Sequence, residues 1–258
     1  MPKNAIYYFS GTGNSLYAAK QIGKAIGDTL LVNMKTEPAK YPANDADIIG
    51  FVFPVYMEGL PGGCAEFISS LSMNADAYIF AFATCGRRAG NSYAELNEIL
   101  NKKGLKLSFY QTAVTVANYI NVYPLATSPK KRLPKLDEAI TDAVKAIQNK
   151  TLVNVPASNA LMAFNHSLYR FFPLMARFYR VTKKCNGCGI CEKICPAGTV
   201  KLVSGKPVWG KGCTQCVACI QNCPQKAIEL GLSTKFRTRY RHPAVSETEI
   251  IKETIYIE

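Results

Sequence analysis

The sequence predicts an α/β protein: a doubly wound, parallel, five-stranded sheet over residues 1–150, followed by a small cysteine-rich module over 181–232. Three observations carry this. Short β-prone runs alternate with helical periodicity through the first 150 residues, the order that gives a parallel sheet with helices on both faces. A glycine- and hydroxyl-rich turn, Ser10-Gly-Thr-Gly-Asn-Ser15, follows the first run, at the strand end where such sheets bind ligands. Eight of the ten cysteines fall between Cys185 and Cys223, and the composition changes there.

The elements follow in order. Residues 5–9 form the first strand, and Leu16, Ala19, Ile22, Gly23 and Ile26 recur behind it at helical spacing. Residues 29–33 are the second strand. Residues 47–53 are continuously apolar, as expected of a strand buried on both faces, and 77–84 form the fourth strand. Residues 92–103 read as a helix and 105–116 as the last strand. Leu136, Ile140, Ala143, Val144 and Ile147 then mark an amphipathic helix after Pro134. In the connecting segment 151–180, Leu161, Phe164, Leu168, Phe171, Met175 and Phe178 keep a helical period, with Arg170, Arg177 and Arg180 among them. Pro173 kinks or ends that helix. A connector packed between domains is the first expectation for this stripe; an interfacial membrane helix or a partner-docking helix is the second. Residues 233–258 read as a basic tail.

The turn at 10–15 is not a P-loop, because no lysine follows Gly13, and not a dinucleotide fingerprint, because Leu16 stands where a third glycine belongs. It offers the hydroxyls of Ser10, Thr12 and Ser15, the Asn14 amide and the free N–H groups of a helix start. Such a set holds a terminal phosphate without a basic residue. Strand, S-G-T-G-N-S, then helix resembles the flavodoxin family. That resemblance implies FMN, with its phosphate held by Ser10, Gly11, Thr12, Gly13, Asn14 and Ser15. It also implies that two further loops approach the flavin ring. Pro54, Val55 and Tyr56 stand in one, and Thr84, Cys85 and Gly86 in the other, with Tyr56 the aromatic neighbour of the ring and Tyr119 a further candidate. Cys85 reads as a small residue at a crowded turn, and Cys64 as a helix or core residue. Arg87 and Arg88 follow the second loop; a cation there would stabilise a reduced, anionic flavin.

CNGCGICEKICP at 185–196 and CTQCVACIQNCP at 213–224 are both C-x2-C-x2-C-x3-C-P. Zinc sites take four ligands, commonly as two C-x2-C pairs, which leaves this spacing unexplained. The run is that of cubane iron–sulfur clusters, in which the fourth cysteine of each run ligates the other cluster. That rule assigns Cys185, Cys188, Cys191 and Cys223 to one [4Fe-4S] cluster, and Cys213, Cys216, Cys219 and Cys195 to a second. The module resembles the small α+β bacterial ferredoxins with two [4Fe-4S] clusters. The whole chain resembles the flavodoxin–ferredoxin fusion proteins of anaerobic bacteria and archaea.

The resemblance implies an electron-transfer protein coupling one-electron carriers to two-electron flavin chemistry; the alternative is an FMN-dependent reductase of a small molecule. Formal charge is +13. With thiolates, cluster cores and phosphate counted it falls to about +7, which fits steering of an acidic redox partner such as a ferredoxin or flavodoxin. No nucleic-acid-binding signature is present. His166 and His242, the two histidines, lie in no metal or nucleophile pattern. The longest apolar run, 48–57, is about half a spanning helix, and the first residues show no signal-peptide pattern, so a cytoplasmic location is expected.

Overall fold

A computed structural model describes residues 2–125, 128–231 and 234–258. The expected end of the cysteine module, between 232 and 233, lies outside the described residues. The first part runs β1 (Asn4–Tyr8), α1 (Asn14–Ile26), β2 (Thr29–Asn33), β3 (Ile48–Pro54), α2 (Cys64–Ser70), β4 (Tyr78–Cys85), α3 (Ser92–Asn101), β5 (Phe109–Val114) and α4 (Pro129–Gln148). After α5 (Ala160–Ser167) and a run of 3₁₀ turns (Leu168–Phe178) come β6 (Tyr179–Val181), α6 (Ile190–Lys193), β7 (Val200–Val203), β8 (Lys206–Trp209), α7 (Ala218–Gln221) and β9 (Ile228–Leu230). The chain closes with α8 (Glu247–Ile251) and β10 (Thr254–Ile257).

Five strands pair in parallel in the order β2-β1-β3-β4-β5, the flavodoxin-like order, with the strand sequence reversing at β1/β3. The strands read as continuous apolar runs because both faces are covered. On one face α1 and α4 place Leu16, Ile22, Leu136 and Ile140 against Tyr8, Phe80 and Phe82. On the other, α2 and α3 place Phe67, Ile68, Leu96 and Leu100 against Tyr7, Phe51 and Phe53. The cysteine module contributes two antiparallel pairs, β6–β9 and β7–β8.

Three features differ from the sequence reading. The helix expected after Pro134 begins at Pro129 and carries Pro134 inside it, where the ring removes only one hydrogen bond near the first turns. The last strand pairs only over Phe109–Val114; Leu105 and Leu107 are buried ahead of it, with Leu107 N–H bonded to Asn97 Oδ1 at 3.0 Å. The basic tail is not a solvated appendage. Its end adds β10 as a sixth, antiparallel strand beside β2, covering what would otherwise be an open sheet edge. The Arg239 side chain is buried: its Nη2 pairs with Glu229 at 2.9 Å and also donates to the Ile228 carbonyl, while Nη1 donates to the Thr234 carbonyl. Charge makes such a tail look solvated; the pairing with Glu229, ten residues upstream, is invisible to composition.

Breaking a buried pair by removing one partner leaves a desolvated charge and costs about 3–5 kcal/mol. Arg239→Met should therefore lower stability by that order in anaerobic denaturant titrations, and adding Glu229→Leu should restore much of the loss.

Candidate functional site: the 10–15 turn, its cavity and the cysteine loops

The turn at residues 10–15 takes its shape from Gly13, whose φ of 94° is left-handed and ends the turn at the head of α1. No side chain caps α1 and no acidic residue stands in its first turn, so its leading N–H groups face outward unneutralised. The loop's polar side chains are already held on one side. Ser10 Oγ accepts from the Gly13 N–H at 3.1 Å, and Thr12 Oγ1 accepts from Asn118 Nδ2 at 2.8 Å. Asn14 Oδ1 accepts from the Tyr240 hydroxyl at 2.6 Å, and Ser15 Oγ shares a hydrogen bond with Thr84 Oγ1 at 2.8 Å. The first three bonds occupy oxygen lone pairs and leave the Ser10 and Thr12 hydroxyl protons and the Asn14 amide protons to donate; in the fourth, one hydroxyl of the Ser15–Thr84 pair is the donor. The result is a rigid cluster of donors without a cation.

Beside it lies a cavity of about 380 Å³, within the range of small-molecule sites. Ser10, Gly11, Thr12, Asn14, Ser15, Pro54, Val55, Tyr56, Thr84, Cys85, Gly86 and Tyr119 all line it; Gly13 shapes the turn but does not. Tyr56 sits edge-on to Phe9, and Tyr119 stacks on Phe172 at 6.4 Å and 12°. None of the described lining residues is charged. Arg88 is exposed and ion-paired with Glu58, and neither it nor Arg87 reaches the lining. Burial pushes the Cys85 thiol up to about 11, so it is a protonated packing group at neutral pH.

Sequence reasoning missed two walls. Tyr169 and Phe172 enter from the 3₁₀ run, and Gln215, Cys216 and Val217 from the second cysteine loop. Thr115, Asn118 and Tyr123 come from the chain after β5, and Thr115 Oγ1 is buried there with no hydrogen-bond partner. The stripe read as helical in the connector points the wrong way for the first expectation: Leu161, Phe164, Leu168, Phe171 and Phe178 are exposed, and the intervening Tyr169 and Phe172 face the protein. Periodicity identified a face without saying which side of it is covered.

The cysteines form two groups. Cys185, Cys188, Cys191 and Cys223 line one small cavity. Cys195 stands close enough to Cys213, Cys216 and Cys219 to raise their thiol pKa values electrostatically. Burial is the larger cause: it pushes Cys216 up to about 12, Cys191 to about 11, and Cys213 and Cys219 upward too. Thiols this weakly acidic become thiolates only against a cationic core. Polar side chains attend each sulfur of the Cys195 group. Gln215 Nε2 donates to Cys213 Sγ at 3.6 Å, and Thr199 Oγ1 meets Cys195 Sγ at 3.5 Å. Thr214 Oγ1 and Trp209 Nε1 lie buried and unpartnered beside the Cys216 and Cys219 thiols.

The two loops share a backbone but not a surface. Gly187 and Gly189 supply left-handed φ values of 72° and 76° in the first; Gln215 and Val217 hold 52° and 55° in the second. Each such non-glycine residue costs about 1–3 kcal/mol, most for β-branched Val217. In return the second loop gains side chains that touch the cavity. Its polar residues also form the seam with the sheet domain, where Asn222 Nδ2 donates to Gly11 O at 3.0 Å and Gln221 Nε2 to Asn118 O at 2.6 Å, and with the 3₁₀ run, where Thr214 O accepts from the Tyr169 hydroxyl at 2.5 Å. At Gly11 a Cβ would stand 2.8 Å from the Cys216 carbonyl oxygen.

Comparison with known proteins agrees with this geometry. Residues 184–228 match the 4Fe-4S dicluster domain family, a span that holds all eight loop cysteines. Over 47 residues the chain is 49% identical to a subunit of the ion-translocating oxidoreductase complex of Methanosarcina acetivorans, covering 18% of each chain. Over 49 residues it is 33% identical to a ferredoxin-like protein in the nif region of Nostoc, covering 18% of this chain and 42% of that one. The chain thus spans less than half the length of these relatives. The sheet domain overlays the two-electron reduced flavodoxin of Megasphaera elsdenii with a TM-score of 0.37 at 19% identity, over 54% of this chain and 98% of that one. The fold assignment rests on the strand order itself. The chain joins a flavodoxin-like sheet to a 4Fe-4S dicluster ferredoxin domain, the plan of a flavodoxin–ferredoxin fusion.

Gly11→Ala drives a methyl into backbone and should force the loops apart. A loss of about 1–3 kcal/mol in anaerobic unfolding is expected; an unchanged midpoint would mean that the seam yields freely.

Proposed function

We propose that this chain is an electron-transfer protein carrying FMN in the cavity and a [4Fe-4S] cluster on each cysteine group. One observation carries the reading: Cys216 belongs to a candidate cluster and also walls the candidate flavin cavity. When bound, FMN supplies one- and two-electron chemistry and each cubane one-electron chemistry, so the chain would couple single-electron carriers to a two-electron centre.

The residues fit these groups. Ser10, Thr12, Asn14 and Ser15 present donors for a terminal phosphate, and the helix dipole of α1 supplies the positive end that Arg or Lys would otherwise provide. The unpartnered Thr115 hydroxyl offers one more polar contact to a ligand in the cavity. Tyr56, Tyr119 and Tyr169 suit a planar aromatic ring and exclude water from it. Cys185, Cys188, Cys191 and Cys223 would hold the outer cluster, and Cys213, Cys216, Cys219 and Cys195 the inner one. Hydrogen bonds to ligating sulfur raise a cluster's potential, and side-chain donors gather on the inner group. That biases electrons inward, from the group with exposed Cys188 toward the cavity.

The seven lysines within residues 181–232 are exposed against two glutamates, which suits an acidic carrier docking near Cys188. The second reading, a reductase of a small molecule, is favoured by the cavity's partly exposed rim at Met57, Val122 and Tyr123.

Anaerobically purified protein should contain about eight irons per chain and release FMN on heating; one or two metal atoms, or FAD, would contradict the reading. Cys223→Ala should alter in EPR the cluster that shares Cys185. Damage confined to the Cys216 cluster would overturn the ligand assignment.

A further inference from the structure

We propose that the outer face of α5 and the 3₁₀ run docks on an anionic lipid bilayer. The face is apolar and outward. Leu161 is 69% exposed, Phe164 62%, Phe171 51%, Leu174 53% and Phe178 61%, all within 18 residues. Isolated exposed apolar residues are ordinary; a row of them along one segment marks an interaction surface. The opposite side of the segment is already occupied, since Tyr169 and Phe172 line the cavity and Ala176 and Tyr179 are buried. The outward residues are thus not a core face awaiting the rest of this chain.

Charge selects the occupant. No aspartate or glutamate occurs between Asp142 and Glu192, whereas Arg170, Arg177, Arg180, Lys183 and Lys184 all fall on or just after the segment and are exposed. The Arg170 guanidinium lies over the Phe171 ring at 4.8 Å, so cation and apolar group share one surface. Arg170 shares a groove with Glu66, Glu95 and Glu98 of the neighbouring helices, where Glu95 accepts from the Leu60 amide; Glu58 is engaged by Arg88 and Asn165. Bulky apolar groups flanked by basic residues, with no acid within the segment itself, match the boundary between acyl chains and anionic headgroups. An acidic protein would pair with the arginines but leave the five large apolar side chains without a stated partner. No helix among the described residues is long and apolar enough to span a membrane, so the contact is peripheral.

The test is co-flotation of the anaerobic, full-length holoprotein with vesicles of mixed phosphatidylglycerol and phosphatidylethanolamine, against vesicles of phosphatidylcholine. Binding to the anionic vesicles is expected, weakened about thirtyfold in Arg170→Gln/Arg177→Gln and at least as far in Phe171→Ser/Phe178→Ser. Both variants change exposed side chains and should keep their iron content and circular dichroism. The proposal is overturned if anionic vesicles do not bind. It is also overturned if the serine variant floats as well as the parent, or if the face instead mediates a dimer or a complex with an acidic ferredoxin that the serine variant abolishes.

Discussion

The close approach of Gly11 to Cys216 is the contact on which the rest of the molecule depends. The 10–15 turn and a cysteine loop can share one wall only if the backbone between them carries no side chain, and Gly11 meets that condition. Asn222 and Gln221 then lock the loops together through the Gly11 and Asn118 carbonyls. The tail completes the arrangement from behind. Tyr240 holds Asn14, and the His242 N–H bonds the Thr12 carbonyl at 2.8 Å while its ring stacks on Tyr17. Burial depresses the His242 pKa to about 4, so the ring is neutral and adds no charge beside the loop. The 10–15 turn is thereby gripped by residues separated from it by more than 200 positions.

The asymmetry of the two cysteine runs follows from that contact. The first loop faces solvent with glycines at its left-handed positions and Glu192 and Lys193 in its x3 segment. The second has Gln215, Val217, Ile220 and Gln221 at those positions, with Asn222 following, all buried. Strain at Gln215 and Val217 is retained where their side chains close the cavity, so local backbone preference yields to the demands of the site.

Much of the architecture was legible. The strands buried on both faces announced themselves as unbroken apolar runs, and the cysteine spacing identified its chemistry because the spacing is the chemistry. The donor-rich turn at 10–15 was readable as a turn because its polar residues are contiguous. What escaped is non-local. Tyr169 and Phe172 have no motif, and Cys216 gives no sign in sequence that it faces a flavin-sized cavity. The uncharged character of CTQCVACIQNC beside CNGCGICEKIC was the available signal that the second loop is the buried one. Alternation alone could not tell that the Leu161–Phe178 stripe faces outward, because period fixes which residues share a face and not what lies against it.

The central claim is that the Cys216 wall makes the inner cluster the electron source for the cavity. Stopped-flow reduction of anaerobic holoprotein by a one-electron donor, comparing the parent with Cys195→Ala at equal FMN occupancy, tests it most directly. Cluster bleaching should precede flavin bleaching, and the flavin phase should collapse in the variant. Flavin bleaching that comes first, or that runs at the same rate without Cys195, would contradict the account.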